Sequence, residues 1–323
     1  MSRGARWSFP VLLVPVLLAG CGGSPAPAPS SPAPPSPAPT LPSVAVGGPV
    51  GLVTVGDAVW AAGASDGSVV RIDPATGTAG TPVPVGDTPL RLAADGTTLW
   101  VSVFGAEHLV AVDIRTSKVI HDVATPGGPE GVAVGFGAIW LVRQEAATLT
   151  RLDRAGKVLG TTPLGATPRL VAIGATHVWV ANFGDGTLTR VRPDGSHPET
   201  SARICDGAQG LAVDRGTVWV TCTTGDEVVA VDETTMAVRG RVAVPGEPDG
   251  IRADAGGLWV VTTEGPTLVR LSADPAAPAV QRSTPLGKTT ALHDRANVDL
   301  TVAGPRVLVS SVNHNKVFIT PTT

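Results

Sequence analysis

The sequence predicts an all-β fold, a seven-bladed β-propeller with four antiparallel strands per blade, on three observations. Six of the seven tryptophans, at positions 60, 100, 140, 179, 219 and 259, lie 40, 40, 39, 40 and 40 residues apart. Each sits in a variant of one phrase, such as "HVWVANFGDGTLTRV" at 177–191 or "TVWVTCTTGDEVVAV" at 217–231. Two further columns stay in phase. Eleven residues before each tryptophan stand Pro49, Pro89, Pro129, Pro168, Ala208 and Pro248. Thirteen after it stand Asp73, Asp113, Asp153, Arg192, Asp232 and Ser272. A fixed period of this length marks a repeat array in which each unit is one supersecondary element.

Each unit holds about four short apolar runs. In the second they read "LRLAAD", "TLWVSV", "HLVAVD" and "KVIHDVA". All are rich in Val, Leu and Thr and bounded by Gly, Pro, Asp or Ser, as strands joined by tight turns should be. Four strands per unit is the composition of a propeller blade. A seventh unit, "VDLTVAGPRVLVSSVNHNKVFIT", puts Leu308 in the tryptophan column and supplies three strands before the chain ends. An open ring would leave a bare strand edge. The segment "PSVAVGGP" (Pro42 to Pro49) matches the ends of the other fourth strands, so a strand at about 43–46 is expected to complete the last blade. The first run of each unit is small ("GLVTV", "GVAVG", "GLAVD", "GIRAD"), which fits an innermost strand converging on a channel. The tryptophans, flanked by apolar residues, are expected to be core. The aspartates are expected to cap the turns that follow them.

The chain divides at its N-terminal end. Arg3 and Arg6 precede a short apolar stretch from Trp7 to Leu18, the pattern of a secretory signal spanning 1–20. Its end, "LAGC", resembles the bacterial lipoprotein lipobox. The resemblance implies cleavage before Cys21 and lipidation of that cysteine, and so an extracytoplasmic protein lipid-anchored to the cell membrane. The linker at 21–40 carries eight prolines and no charge after Cys21, a stalk that favours extended polyproline II. The propeller then occupies 41–323. Outside the cytoplasm Cys205 and Cys222 are free to form a disulfide; they fall at strand ends flanking one interblade loop. With 16% charged residues, a net charge of −3 and no basic run past the N-terminus, the chain lacks a nucleic-acid footprint. A monomer touching the membrane through its anchor alone is expected.

The phrase "VWVANFGDGTLTRV", followed by V-x-V-G-x-x-P-x-G-V/L-A-V, resembles the YVTN-repeat propellers of bacteria and the broader group that contains streptogramin B lyase. The resemblance covers residues 43–323. For the lyase it implies a divalent metal and a catalytic His near a second His and a carboxylate. The sequence departs from that pattern: "TTEGPT" offers Glu264 without a His, and His293 and His314 lack a close carboxylate at the required spacing.

In a propeller the loops entering the inner strands and those joining second to third strands share the face where the channel opens. One or two residues past the proline column the repeat breaks into Arg91, Glu130, Arg169, Gln209, Asp249 and Asp299. These are expected to form a polar, ligand-sized mouth at whose rim alanine at Glu130 or Asp249 leaves folding intact. The second-to-third loops add Phe104, Glu107, His108, Gln144, Asn182, Phe183, Asp185, Asn313 and His314. The long connection into the seventh unit brings Lys288, His293, Asp294 and Arg295. The expected function is a binding module for a small ligand, a glycan or an envelope protein, needing no cofactor. Ligand contacts would come from Arg91, Glu130, Arg169, Gln209, Asp249, Asp299, Asn182 and His314. The alternative is a lyase or lactonase of the streptogramin B lyase or gluconolactonase type, with Mg²⁺ or Ca²⁺ held by Glu130, Asp249, Asp299 and a seventh-unit His.

Overall fold

The computed structural model describes residues 41–287 and 297–323. The signal, Cys21, the Pro-rich tract and the positions Lys288, His293, Asp294 and Arg295 lie outside the described residues.

Seven antiparallel sheets form a ring. Blade two shows the plan: Pro89–Asp95 innermost, then Thr98–Val103, His108–Asp113 and Lys118–Ala124 on the outside. In blade one the outer strand is broken into Thr78–Ala79 and Val83–Pro84, both paired with Ser68–Asp73. Each inner strand packs against the next, and Leu300–Ala303 of the last blade meets Pro49–Val55 of the first. The last blade takes its outer strand from the other end of the chain. Ser43–Ala45 pairs antiparallel with Lys316–Pro321, Val44 opposite Val317. Beyond the strand, the Ile319 N–H donates to the Pro42 carbonyl at 2.8 Å. The ring therefore closes on backbone hydrogen bonds between the two chain ends, which cover the outer side of Lys316–Pro321.

The core is divided among the blade interfaces. Each apolar cluster joins one blade to the next: Trp60 packs with Leu92, Leu99 and Val101, and Trp219 with Ile251, Leu258 and Val260. All six repeat tryptophans are buried. Leu308 fills the same slot between blades seven and one, among Leu52, Val59 and Ala61. Directly across the strand pair from the tryptophan, four blades carry an arginine: Arg71, Arg151, Arg190 and Arg270. Three of these lie over the facing ring, at 5.7 Å (Arg151), 5.9 Å (Arg190) and 4.5 Å (Arg270), within cation–π range. In blade two Ala111 stands opposite Trp100, and His121 stacks on the ring instead, 6.2 Å away and 2° from parallel. The aspartate column caps its turns. Asp113 accepts from the Arg115 and Thr116 N–H groups, and Asp232 from those of Thr234 and Thr235. These bonds hold both carboxyls below the usual range.

One irregularity of the inner strands prepares the site. In each of the first six blades the register slips just after the proline column, for example between Pro129 and Val132 and between Pro248 and Ile251. Such bulges re-aim side chains. The third position of this segment is glycine where neighbouring strands press together: a Cβ on Gly210 would lie 2.1 Å from the Asp249 carbonyl oxygen, and one on Gly131 2.5 Å from that of Arg169. In blades two, four and seven the same position holds Arg91, Leu170 and Asp299 instead.

Candidate functional site

The segments at the start of the inner strands bring six of the expected residues together around the channel, but most lie below its surface. Exposure is 4% for Arg91, 0% for Glu130, 3% for Gln209, 1% for Asp249 and 4% for Asp299. Only Arg169 is partly exposed. Sequence periodicity placed them at an open rim; the structure makes them a buried ionic network. Alanine at Glu130 or Asp249 thus removes a buried partner rather than a solvated side chain, and is costly to folding.

The network crosses the ring. Arg169 of blade four donates to both Glu130 oxygens, at 3.2 and 3.1 Å. Asp249 of blade six accepts from Gln209 Nε2 at 3.0 Å and from the Val298 N–H at 2.9 Å. Asp299 of blade seven accepts from the Leu52 N–H at 3.2 Å, the Leu300 N–H at 2.8 Å and Arg252 Nη2. Arg91 of blade two reaches toward both aspartates, 3.9 Å from Asp249 and 3.7 Å from Asp299. Buried hydroxyls tie these segments down. Ser310 accepts from the Asp299 N–H at 2.8 Å and donates to the Val50 carbonyl, and Thr221 accepts from the Gly210 N–H and donates to the Asp249 carbonyl.

Burial pushes the Glu130 carboxyl above its usual range, against the opposing pull of Arg169 and Arg91. Burial likewise raises Asp249, opposed chiefly by Arg91. A carboxyl with a higher pKa folded than unfolded binds more protons in the native state. Its contribution to stability is therefore full below the unfolded value and lost as pH rises through the folded one. The melting temperature is expected to fall as pH rises from the ordinary carboxylate range, and to fall less in Glu130→Gln. Parallel profiles for the two proteins would show that Glu130 titrates alike in both states.

Two cavities flank the network. The mouth cavity, about 230 Å³, is lined by Arg169, Phe183, Gln209, Thr223, Thr224, Glu247, Asp249, Thr263 and Asn297. The second, about 280 Å³, lies further along the inner strands, with Arg91, Arg252 and Asp299 among small and aliphatic residues. The Arg91–Asp249 pair spans the two.

The loop residues divide between site and scaffold. Phe183 lies under the Arg169 guanidinium, 5.2 Å from it. Phe104 and Phe183 each press on a left-handed loop glycine, Gly128 and Gly207, where a Cβ would be 3.0 Å from the ring. Glu107 accepts the Gly127 N–H, and Asp185 that of Ala166, both fastening loops. Asn182 is buried inside blade four and donates to Thr187 and Thr189. His314 pairs with Ser311 and meets Phe318 edge-on. Neither Asn182 nor His314 lines the mouth cavity. His108 pairs with Asp122 on the outer strand. Cys205 and Cys222 form a disulfide beside Thr223 and Thr224, and so clamp the mouth. A bridge closing a separation of 17 residues stabilises by about 3 kcal/mol.

Sequence reasoning missed Arg252, Thr223, Thr224, Glu247, Thr263 and Asn297. Arg252 had a signal: it stands opposite Trp259 in a column that otherwise holds Val53, Ala93, Ala133, Ala172 and Ala212.

Glu130, Asp249 and Asp299 fit a divalent ion poorly, because each carboxylate is engaged by an arginine: Arg169, Arg91 and Arg252. Among the described residues no three His, Cys, Asp or Glu side chains converge as a ligand set.

No known family profile matches the chain, and no curated protein matches it. Solved structures do. A catalytically inactive virginiamycin B lyase from Staphylococcus aureus, solved with quinupristin, is similar at a TM-score of 0.75 and 16% identity, over 88% of this chain and 99% of that one. A streptogramin B lyase is similar at 0.72 and 15%, over 85% and 94%. The WD40 propeller domain of Doa1 is similar at 0.72 and 15%, over 88% and 97%. A lyase and a WD40 domain thus share this frame at comparable distance, and what the likeness establishes is the fold, a seven-bladed β-propeller.

Proposed function

We propose that this protein is an envelope lipoprotein, anchored through Cys21, whose propeller binds a carbohydrate at the mouth of its channel. The mouth cavity carries the reading. Hydroxyls (Thr223, Thr224, Thr263), amides (Gln209, Asn297), charges (Arg169, Glu247, Asp249) and one aromatic ring (Phe183) converge there. Donors and acceptors of this kind beside a ring suit a terminal sugar. The acids beneath are engaged by arginines, which favours binding over acid–base chemistry.

The test is a glycan array probed with the protein and with Thr224→Trp, which plugs the mouth from an exposed position. A bound sugar class, weakened at least tenfold by the plug (about 1.4 kcal/mol), is the expected result. Absence of any bound glycan, or equal binding by the plugged form, would overturn the proposal. In cells that express the full chain, Cys21→Ser should move the protein out of the membrane fraction.

A further inference from the structure

We propose that the second cavity, on the far side of the buried network from the mouth, is a separate binding site for an amphipathic monocarboxylate. It holds about 280 Å³ and has aliphatic walls that include Leu92, Val132, Val171, Leu211 and Val213. Its charged lining residues are Arg91, Arg252 and Asp299, a formal balance of two positive against one negative. Asp249, which faces Arg91 from the mouth side, offsets that excess, so the call for an anion comes from the unfilled donors of Arg91.

Arg91 specifies where that charge goes. Asp299 is already supplied by Arg252 and by the Leu52 and Leu300 N–H groups. Asp249 is supplied by Gln209 and the Val298 N–H. Both carboxylates stay 3.7 Å or more from the Arg91 guanidinium, and its Nε, Nη1 and Nη2 atoms, all buried, make no hydrogen bond among the described residues. Buried donors left unfilled are costly, and native proteins rarely tolerate them without a partner. A guanidinium offers its donors as a planar fork that a carboxylate fills with two bonds. The aliphatic walls then require an apolar body behind the acid group, the usual make-up of a small-molecule site in which few polar groups fix orientation. A doubly charged phosphate fits less well, since Asp249 and Asp299 both lie alongside and would repel its second charge.

Isothermal titration of the full chain in mild detergent with isocaproate, isocaproamide and acetate tests the assignment, with heats of partition into empty micelles subtracted. One isocaproate per chain is expected, with the amide and acetate at least tenfold weaker. The first lacks the charge and the second lacks the apolar body. Arg91→Met should weaken isocaproate binding at least tenfold. That variant disturbs the buried network, so Ala172→Leu provides the second arm. Ala172 lines the cavity but belongs to no ion pair, and the larger side chain should also weaken binding at least tenfold. No isocaproate binding, equal binding of acid and amide, or full binding by Ala172→Leu would each overturn the proposal and leave the cavity to water.

Discussion

Asp299→Ala is expected to destabilise the protein by about 3–5 kcal/mol, the cost of removing one partner from a buried charge network. The reason lies in its neighbours. Asp299 belongs to blade seven, takes a hydrogen bond from Leu52 of blade one, pairs with Arg252 of blade six and faces Arg91 of blade two. The substitution leaves Arg252 without its carboxylate, Arg91 with one of two, and the Leu52 and Leu300 N–H groups without this acceptor, at the point where the ring closes. Asp299→Asn keeps the shape and one acceptor oxygen, so a smaller loss is expected. Denaturant midpoints measure both. A loss under about 1 kcal/mol for alanine, the range of a solvated pair, would place Asp299 in water rather than in a network.

Trp259→Ala should cost a similar amount, about 3–5 kcal/mol, through the cavity left in a close-packed interface. Trp259 is 1% exposed and packs with Val261, Leu268, Leu300 and Val309 across blades six and seven. Its indole N–H donates to Asp254 at 2.8 Å, and Arg270 and Arg282 lie over the ring at 4.5 and 5.6 Å. Trp259→Leu should cost less, because Leu308 already fills the equivalent slot between blades seven and one. Since whole domains are stable by only about 5–15 kcal/mol, the alanine variant should unfold at visibly lower denaturant. Equal midpoints for wild type and Trp259→Ala would contradict the interface role assigned to the tryptophan column.

The frame was legible because a propeller writes its scaffold periodically. The tryptophans, the capping aspartates and the Ser43–Ala45 strand each answer to a local requirement, such as filling an interface, satisfying a turn or covering an edge. Each requirement recurs with the repeat, so position in the repeat predicts the role. The channel was legible only in part. Departures from the repeat pointed to Arg91, Glu130, Arg169, Gln209, Asp249 and Asp299, and the structure gathers all six. Their depth was not legible. It depends on contacts across the ring, Arg91 to Asp249 or Gln209 to Asn297, between segments far apart in the chain. No local pattern encodes such a distance. Asn182 misled for the opposite reason. It stands at the end of a strand that opens onto the site face, yet its side chain turns into its own sheet toward Thr187 and Thr189. The arginines opposite Trp60, Trp140, Trp179 and Trp259 recur eleven residues after the ring, a periodic signal as clear as the aspartates.

The claim on which the rest depends is that the channel carboxylates serve as structural partners of arginines and not as ligands of a metal. Melting the protein in EDTA, in Mg²⁺ and in Ca²⁺ tests it directly. A ligand bound only by the native state stabilises by about 2.7 kcal/mol at a hundredfold excess over its dissociation constant. The account predicts the same melting temperature in all three conditions. A rise with either cation that disappears in Asp249→Asn would contradict it and turn the channel into a metal centre.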